Sequence, residues 1–216
     1  MALPVVVAVG GCGPKLAEKV KQHAEAIKVG EGMGEGVEMG PVISARAKTR
    51  IVDLIDDAEK RGSKVVLDGR GLTVPGYENG HFLGPTILDD VPLDAPVYTE
   101  EVFGPVLAVV HADTYDEALK IVNAQPFGNG SAIFTNDGGI ARRFTLDVEA
   151  GMVGVNVPIP TPVAFYSFGG WKESLLGDTH IHGPEGVNFY TRAKAITERW
   201  LTEKTYAATM SFQREE

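Results

Sequence analysis

The chain has 216 residues, 44% of them apolar, and a formal net charge of -9 at pH 7. Nucleic acids and anionic lipid surfaces are bound by basic faces, so neither is expected as a partner of this acidic chain. No apolar run approaches the roughly 20 residues of a membrane span, and the single cysteine, Cys12, is typical of a reducing compartment. We therefore expect a soluble, cytoplasmic protein with an ordinary globular core.

The first part of the chain alternates between strand and helix patterns. The run from Leu3 to Val9 is rich in valine, which is typical of a strand buried on both faces. The apolar spacing then predicts a helix from Pro14 to Ile27. After a glycine-rich connector, Ser44 is expected to cap a second helix, whose apolar stripe comprises Ala47, Ile51, Leu54, Ile55 and Ala58.

The middle of the chain continues this alternation. Short strands are predicted at 64–67, 86–88, 105–111, 131–135 and 152–157. Thr114 and Glu117 have the spacing of a capping box, which opens a helix with an apolar face formed by Tyr115, Ala118, Leu119 and Val122. A further helix is indicated by the aligned residues Ile140, Phe144 and Val148. Because strands separated by helix-length segments pair in parallel, the fold class is α/β, with a mostly parallel sheet flanked by helices.

The last part of the chain loses this pattern. Prolines, glycines and aromatic residues dominate 158–186, which predicts a loop. From Val187 to Trp200 the pattern predicts a final extended segment, and the tail to Glu216 is polar.

Four features resemble functional sites only weakly. Gly11, Cys12 and Gly13 lie where a dinucleotide-binding turn would lie, but Leu16 replaces the third glycine, so a plain turn between strand and helix is favoured. Cys12 itself, at a helix start, is a weak candidate for an activated thiol. His180 and His182 are too few for a zinc site and are expected to form hydrogen bonds in a loop. No EF-hand spacing is present in the acidic cluster Asp89, Asp90, Asp94, Glu100 and Glu101.

A more specific string follows this acidic cluster. Glu100-Glu101-Val102-Phe103-Gly104-Pro105 resembles the Glu-Glu-x-Phe-Gly-Pro signature of the aldehyde dehydrogenase family. The resemblance implies that Glu101 binds the nicotinamide ribose hydroxyls of NAD and that Phe103 packs beside the nicotinamide. A carboxylate can accept two hydroxyl hydrogen bonds, and a flat ring restricts the nicotinamide, so the residue types suit these roles.

Other segments resemble the same family in the expected order. They include 39–43, 82–86 and 123–135. The segments 154–162, 167–172 and 177–191 are similar to the CoA-acylating methylmalonate-semialdehyde dehydrogenase subfamily. This resemblance implies that Phe168, Pro160 and Pro162 form the wall of a pocket for an aldehyde, since aromatic residues and prolines make a rigid, partly dry funnel. No metal is implied.

The resemblance also implies a reaction. A cysteine thiolate attacks the aldehyde, hydride passes to NAD, and CoA cleaves the resulting thioester, with loss of CO2 from methylmalonate or malonate semialdehyde. In the family pattern that cysteine immediately precedes the residue matching Met1, and the NAD-binding domain lies further upstream. We therefore expect this chain to be the C-terminal half of such an enzyme and, alone, to be inactive, with an apolar face exposed where the missing domain docks.

The resemblance predicts three regions: the nucleophile-lacking catalytic domain over 1–186, a strand over 187–202 that builds a homo-oligomer, and a polar tail over 203–216. Three alternatives stay open. The parent enzyme could belong to another aldehyde dehydrogenase subfamily. The chain could be a truncated, non-catalytic paralogue that acts as an interaction module. It could also be a thiol enzyme built on Cys12, which predicts fast alkylation of that residue.

Overall fold

The computed structural model describes residues 2–198 and residue 200. The strands are β1 (Val5–Val9), β2 (Lys64–Leu67), β3 (Thr86–Asp89), β4 (Val106–Ala112), β5 (Phe127–Gly128), β6 (Gly130–Ile133), β7 (Met152–Val155) and β8 (Trp171–Lys172). The helices are α1 (Gly13–Glu25), α2 (Ala45–Lys60), α3 (Pro96–Thr99), α4 (Tyr115–Asn123), α5 (Gly138–Asp147) and α6 (Pro184–Tyr190). No helix in this part of the chain is long and apolar enough to cross a membrane.

The main sheet has four strands in the order β1-β4-β3-β2. β4 pairs in parallel with both β1 and β3, whereas β2 joins the other edge antiparallel to β3. A helix-length crossover separates the parallel strands, as parallel pairing requires. The α/β class with a mostly parallel sheet is thus confirmed.

Alternate residues of β4 enter two cores, because successive side chains of a strand point to opposite faces. Val106, Ala108 and Val110 pack with the buried side of α2, and α3 and α4 lie on this face as well. Val109 points to the other face, where α1 covers the sheet with Leu16, Val20 and Ala24. The sheet is therefore sandwiched between helices.

Three helices, α2, α4 and α5, are capped at their starts by the side chains of Ser44, Thr114 and Asp137, which fixes where each begins. Ser44 Oγ accepts from the Ala47 amide at 3.2 Å, as predicted. Thr114 Oγ1 accepts from the Glu117 amide at 3.2 Å, but the Glu117 carboxylate bonds the amide of Asp113 rather than that of Thr114. The capping box is therefore shifted by one residue on one side.

A second, smaller unit is built on the parallel pair β6–β7. Its core contains Phe144, Val148 and Ala150, and it packs against Tyr115, Leu119 and Val122 of α4. The opposite side of α4 faces the main core through Ala118 and Ile121. α4 is thus buried on two sides and joins the two units.

The prediction of an extended segment from Val187 is wrong for its first residues, which belong to α6. Gly183 has φ 66°, and Pro184 occupies the first helical turn, where the missing amide costs nothing. Residues 191–198 have no regular structure, since among the described residues they pair with no strand. Their predicted role in oligomerisation stays a prediction, and the predicted tail over 203–216 lies outside the described residues.

Candidate functional site

The segment between α3 and β4 presents the two residues that were predicted to bind NAD. Glu101 is exposed and Phe103 is 80% exposed, whereas Val102 between them is buried. In the described part of the chain, the Glu101 carboxylate takes part in no ion pair or hydrogen bond. A free carboxylate and an open ring are thus displayed side by side on an anchored backbone.

Helix α2 holds this segment in place. Arg50 donates from Nη1 to the Val102 carbonyl at 2.9 Å and from Nη2 to the Glu101 carbonyl at 3.0 Å. The same Nη2 lies 3.1 Å from Glu100 Oε2, so Glu100 is occupied while Glu101 is not. A methyl group on Gly104 would meet Ile51 Cδ1 at 2.5 Å, so the backbone lies directly on the helix.

The position of this segment in the sheet separates it from Cys12. Val5 pairs with Ala108, and the Pro4 carbonyl accepts from the Ala108 amide at 2.9 Å. The start of the chain and the residues before β4 therefore lie together at the amino-terminal ends of these two strands. Cys12 follows the carboxyl end of β1, at the other end of the strands, and is exposed. Gly10–Cys12 form a single 3-10 turn, which agrees with the plain turn favoured from the sequence.

The predicted pocket residues Pro160 and Pro162 follow the carboxyl end of β7. Asn156 fixes the start of this loop, because its side-chain amide exchanges two hydrogen bonds, of 3.0 and 3.1 Å, with the backbone of Thr135. Pro160 packs on the strand, since a methyl group on Gly154 would lie 3.3 Å from its Cβ. Both prolines are half-buried.

Phe168, the third predicted pocket residue, lies further along the same loop. Its ring stacks on His182, with centroids 4.3 Å apart and an angle of 5° between the planes. Ser167 beside it donates to Glu185 Oε2 at 2.5 Å, and the same oxygen accepts from the backbone amide of His180 at 3.2 Å. The loop over 164–183 is therefore tied to the first turn of α6.

These contacts resemble a serine-hydrolase triad only in composition. In a triad the histidine accepts the serine proton and the acid orients the histidine. Here the Ser167 hydroxyl donates to Glu185, and His180 Nδ1 lies 3.2 Å from the serine oxygen. The bond from Ser167, together with the His180 amide and imidazole, holds the pKa of Glu185 below its usual range. These three residues hold the loop in place, and their hydrogen bonds do not activate Ser167 as a nucleophile.

The acidic cluster is mostly engaged in ion pairs. Asp89 contacts His111 at 2.7 Å, Asp90 contacts Lys64 at 2.6 Å, and Asp94 contacts Arg61 at 3.4 Å. The first of these pairs could offer metal ligands together with Asp90, since their ligand atoms lie within 4.8 Å of one another. The pairing with Lys64 explains why the pKa of Asp90 is lowered. Of the five carboxylates, Glu101 alone has no ion pair among the described residues, since Glu100 pairs with Arg50.

The structure groups the five predicted site residues into two sets. Glu101 and Phe103 belong to the main sheet, whereas Pro160, Pro162 and Phe168 belong to the loop that follows the smaller unit. No hydrogen bond or ring contact joins the two sets in the described part of the chain. None of the five lines the groove formed by Gly170, Trp171, Lys172, Leu175, Gly177, Asp178 and His180.

Comparison with known proteins decides what these features belong to. The sequence profile described as the aldehyde dehydrogenase family matches residues 1–196, which is most of the chain. The chain belongs to the aldehyde dehydrogenase family. Its α/β fold agrees, because solved structures of that family superpose on 87–92% of the chain.

Three relatives show which members this aldehyde dehydrogenase chain resembles. It is 47% identical over 209 residues to the malonate-semialdehyde dehydrogenase of Pseudomonas aeruginosa, covering 96% of the chain and 42% of the relative. It is 47% identical over 203 residues to the acylating, mitochondrial methylmalonate-semialdehyde/malonate-semialdehyde dehydrogenase of Bos taurus, covering 94% and 38%. A candidate methylmalonate-semialdehyde dehydrogenase of Sinorhizobium meliloti, solved with NAD, has TM-score 0.90 and 46% identity over 92% of this chain and 41% of that one. The chain thus spans 38–42% of the length of these relatives.

Within this aldehyde dehydrogenase chain, Arg50 is the residue at the site that the sequence does not single out. It lies 50 residues before Glu100, and a basic residue on a helix has no evident partner in the linear chain. The available signal is that Arg50 directly precedes Ile51, a buried residue of α2 that packs against Gly104 of the Phe-Gly-Pro segment.

Proposed function

We propose that this chain is the C-terminal part of the catalytic domain of an NAD-dependent, CoA-acylating methylmalonate- or malonate-semialdehyde dehydrogenase. In the proposed enzyme the semialdehyde is oxidised and decarboxylated, and the acyl group passes to CoA. The similarity to relatives with these names supports the assignment, as does the displayed pair Glu101 and Phe103.

The geometry of Glu101 and Phe103 carries the cofactor assignment. The ring is 80% exposed, and the carboxylate next to it is unpaired among the described residues, so a ribose diol and a flat heterocycle would meet suitable partners. NAD, when bound, accepts the hydride in this class of reaction. The residues of this chain hold and orient the nicotinamide end, and they exclude water from one side of it.

Residues 2–4 lie close to the segment that carries Glu101. Both precede their strands at the amino-terminal end of the sheet, because β1 and β4 are parallel and paired at Val5 and Ala108. A nucleophile directly before this strand would therefore lie near the proposed nicotinamide site. Cys12 lies beyond the carboxyl end of β1, at the other end of the strands, which is too far from this segment for a nucleophile.

The loop after β7 supplies the proposed aldehyde wall. Pro160 and Pro162 restrict its backbone, and Phe168 is held flat against His182. In the proposed enzyme an aldehyde side chain contacts these apolar surfaces.

The test uses the complete gene product, which the proposal requires to be longer than these 216 residues. NADH absorbance is followed with malonate semialdehyde, methylmalonate semialdehyde or an unsubstituted aldehyde, each with and without CoA. NADH formation with a semialdehyde, dependent on CoA and accompanied by CO2 release, is expected. Glu101→Gln should raise the KM for NAD about tenfold, since one accepting carboxylate is lost.

Two other outcomes contradict the proposal. Oxidation of unsubstituted aldehydes without CoA would assign the chain to another subfamily. NADH formation by the 216-residue chain alone would refute the requirement for an upstream nucleophile.

We also propose that the apolar residues of α6 are covered in a homo-oligomer. Val187, Phe189 and Tyr190 are 65%, 63% and 82% exposed in the single chain. Sedimentation of the complete gene product tests this, and a monomer would contradict it.

We also propose that the protein is cytoplasmic. The relative from Bos taurus is named as mitochondrial, so the location of a tagged protein in the cell has to be measured. Accumulation in an organelle would contradict the proposal.

A further inference from the structure

The guanidinium of Arg50 contacts three acceptors on one short segment. Two are the successive carbonyls of Glu101 and Val102, at 3.0 and 2.9 Å, and the third is the carboxylate of Glu100, at 3.1 Å. Because the donors of an arginine are fixed in a plane, three such bonds define both the distance and the direction of the bound backbone.

The segment itself has little regular structure to hold it. Between the end of α3 and the start of β4, residues 101–105 belong to no helix or strand. Phe103 has φ 54°, a left-handed conformation in which a non-glycine residue needs support from its surroundings. Buried Val102 and the contact of Gly104 with Ile51 anchor the apolar side, so Arg50 supplies the polar anchors.

Arg50 also separates the roles of the two adjacent glutamates. Glu100 is paired with the guanidinium, whereas Glu101 offers only its carbonyl to Arg50 and keeps its carboxylate free. Without the guanidinium, the Glu100 carboxylate would lose its partner and the two backbone carbonyls would lose their donors. The acidic pair therefore comprises one tether and one ligand.

We infer that Arg50 is a positioning residue that fixes Glu101 and Phe103 for the nicotinamide end of a dinucleotide. This inference rests on the proposed function for the identity of the ligand. The clamp itself rests only on the three contacts above.

The matched control is Arg46, which lies one turn earlier on α2. It is exposed and, among the described residues, makes no ion pair or side-chain hydrogen bond. Arg46→Met thus removes the same charge and the same helix surface without touching the segment. Arg50→Lys keeps the charge but cannot form the planar set of three bonds.

Two measurements test the inference. Steady-state kinetics of the complete gene product should show that Arg50→Met raises the KM for NAD about tenfold or more, while kcat changes less than about twofold, because the loss falls on binding geometry. Cleavage by a glutamyl endopeptidase at the Glu101–Val102 bond should become about tenfold faster, since the local opening is no longer opposed. In both measurements, Arg50→Lys should give values between those of Arg50→Met and the unmodified protein. Arg46→Met should match the unmodified protein.

Equal behaviour of Arg50→Met and Arg46→Met in either measurement would overturn the inference. So would a fall in kcat with no change in KM, which a merely structural defect would produce. If the unmodified gene product does not reduce NAD, the proposed function fails, and the cleavage rate of the complete gene product then decides on its own whether Arg50 holds the segment.

Discussion

Replacing Gly183 with alanine should destabilise the loop that carries Phe168. Gly183 has φ 66° and ψ -155°, a region that is open essentially to glycine alone. An added methyl group would also lie 2.8 Å from the Phe165 carbonyl oxygen and 2.8 Å from the Ser167 amide nitrogen. Both neighbours are backbone atoms, so no side-chain rotation can relieve the contact.

The magnitude follows from these two effects. The backbone conformation costs alanine about 1–3 kcal/mol, and forcing a methyl group into packed backbone costs about 1–3 kcal/mol more. The sum is about 2–6 kcal/mol. Gly177→Ala separates the terms: Gly177 has φ 82°, but nothing lies within 4 Å of its added methyl group, so only about 1–2 kcal/mol is expected.

Urea unfolding followed by tryptophan fluorescence measures both variants. Trp171 lies in β8 of the same loop, so a Trp200→Phe background makes it the only reporter among the chain's two tryptophans. If Gly183→Ala and Gly177→Ala lower the free energy of unfolding equally, the methyl contact contributes nothing and the described loop packing is wrong.

Three further predictions concern the cores, a helix cap and pH. Ile51→Ala should lower the free energy of unfolding by about 2–5 kcal/mol in a urea titration, because Ile51 is 1% exposed; an effect as small as that of Ile51→Val would contradict this. Asp137→Ala should cost about 1 kcal/mol in the same assay, since Oδ1 accepts from two amides of α5, and Asp137→Asn should restore most of it. The Ser167 hydroxyl and the His180 amide lower the pKa of Glu185, so its contribution is present above its ordinary value of 4.5 and is lost as pH falls through the folded-state pKa. Acid titration of Trp171 fluorescence should show this transition, and Glu185→Gln should abolish it.

The sheet and its helices could be predicted because local signals agree with the tertiary contacts. Valine-rich runs form β1 and β4, and Ser44 and Thr114 cap α2 and α4 as their spacing indicates. The apolar face of α4 was only half predicted. The predicted stripe contains the three residues that pack on the smaller unit, Tyr115, Leu119 and Val122. On the side that faces the main core it contains Ala118 but omits Ile121, because this helix is buried on two sides.

The final segment could not be predicted in the same way. Alternating apolar residues after Val187 favour a strand, but a strand needs a partner, and among the described residues none is at hand. Gly183 and Pro184 therefore determine the local outcome and start a helix. The motif names Glu101 and Phe103 as candidate site residues, and their role stays a prediction. The contacts of Arg50 with this segment depend on a fold that brings together residues 50 and 51 positions apart.

The left-handed backbone at Phe103 has a conformational cost that affects stability. A non-glycine residue at φ 54° costs about 1–3 kcal/mol, and the ring, 80% exposed, recovers little of this by burial. Whatever covers the ring, whether a nicotinamide or a neighbouring domain, gains the contact that the chain alone lacks. Binding of such a group over the Phe103 ring should therefore raise the melting temperature of the protein. Thermal stability can then be used to measure binding without any turnover.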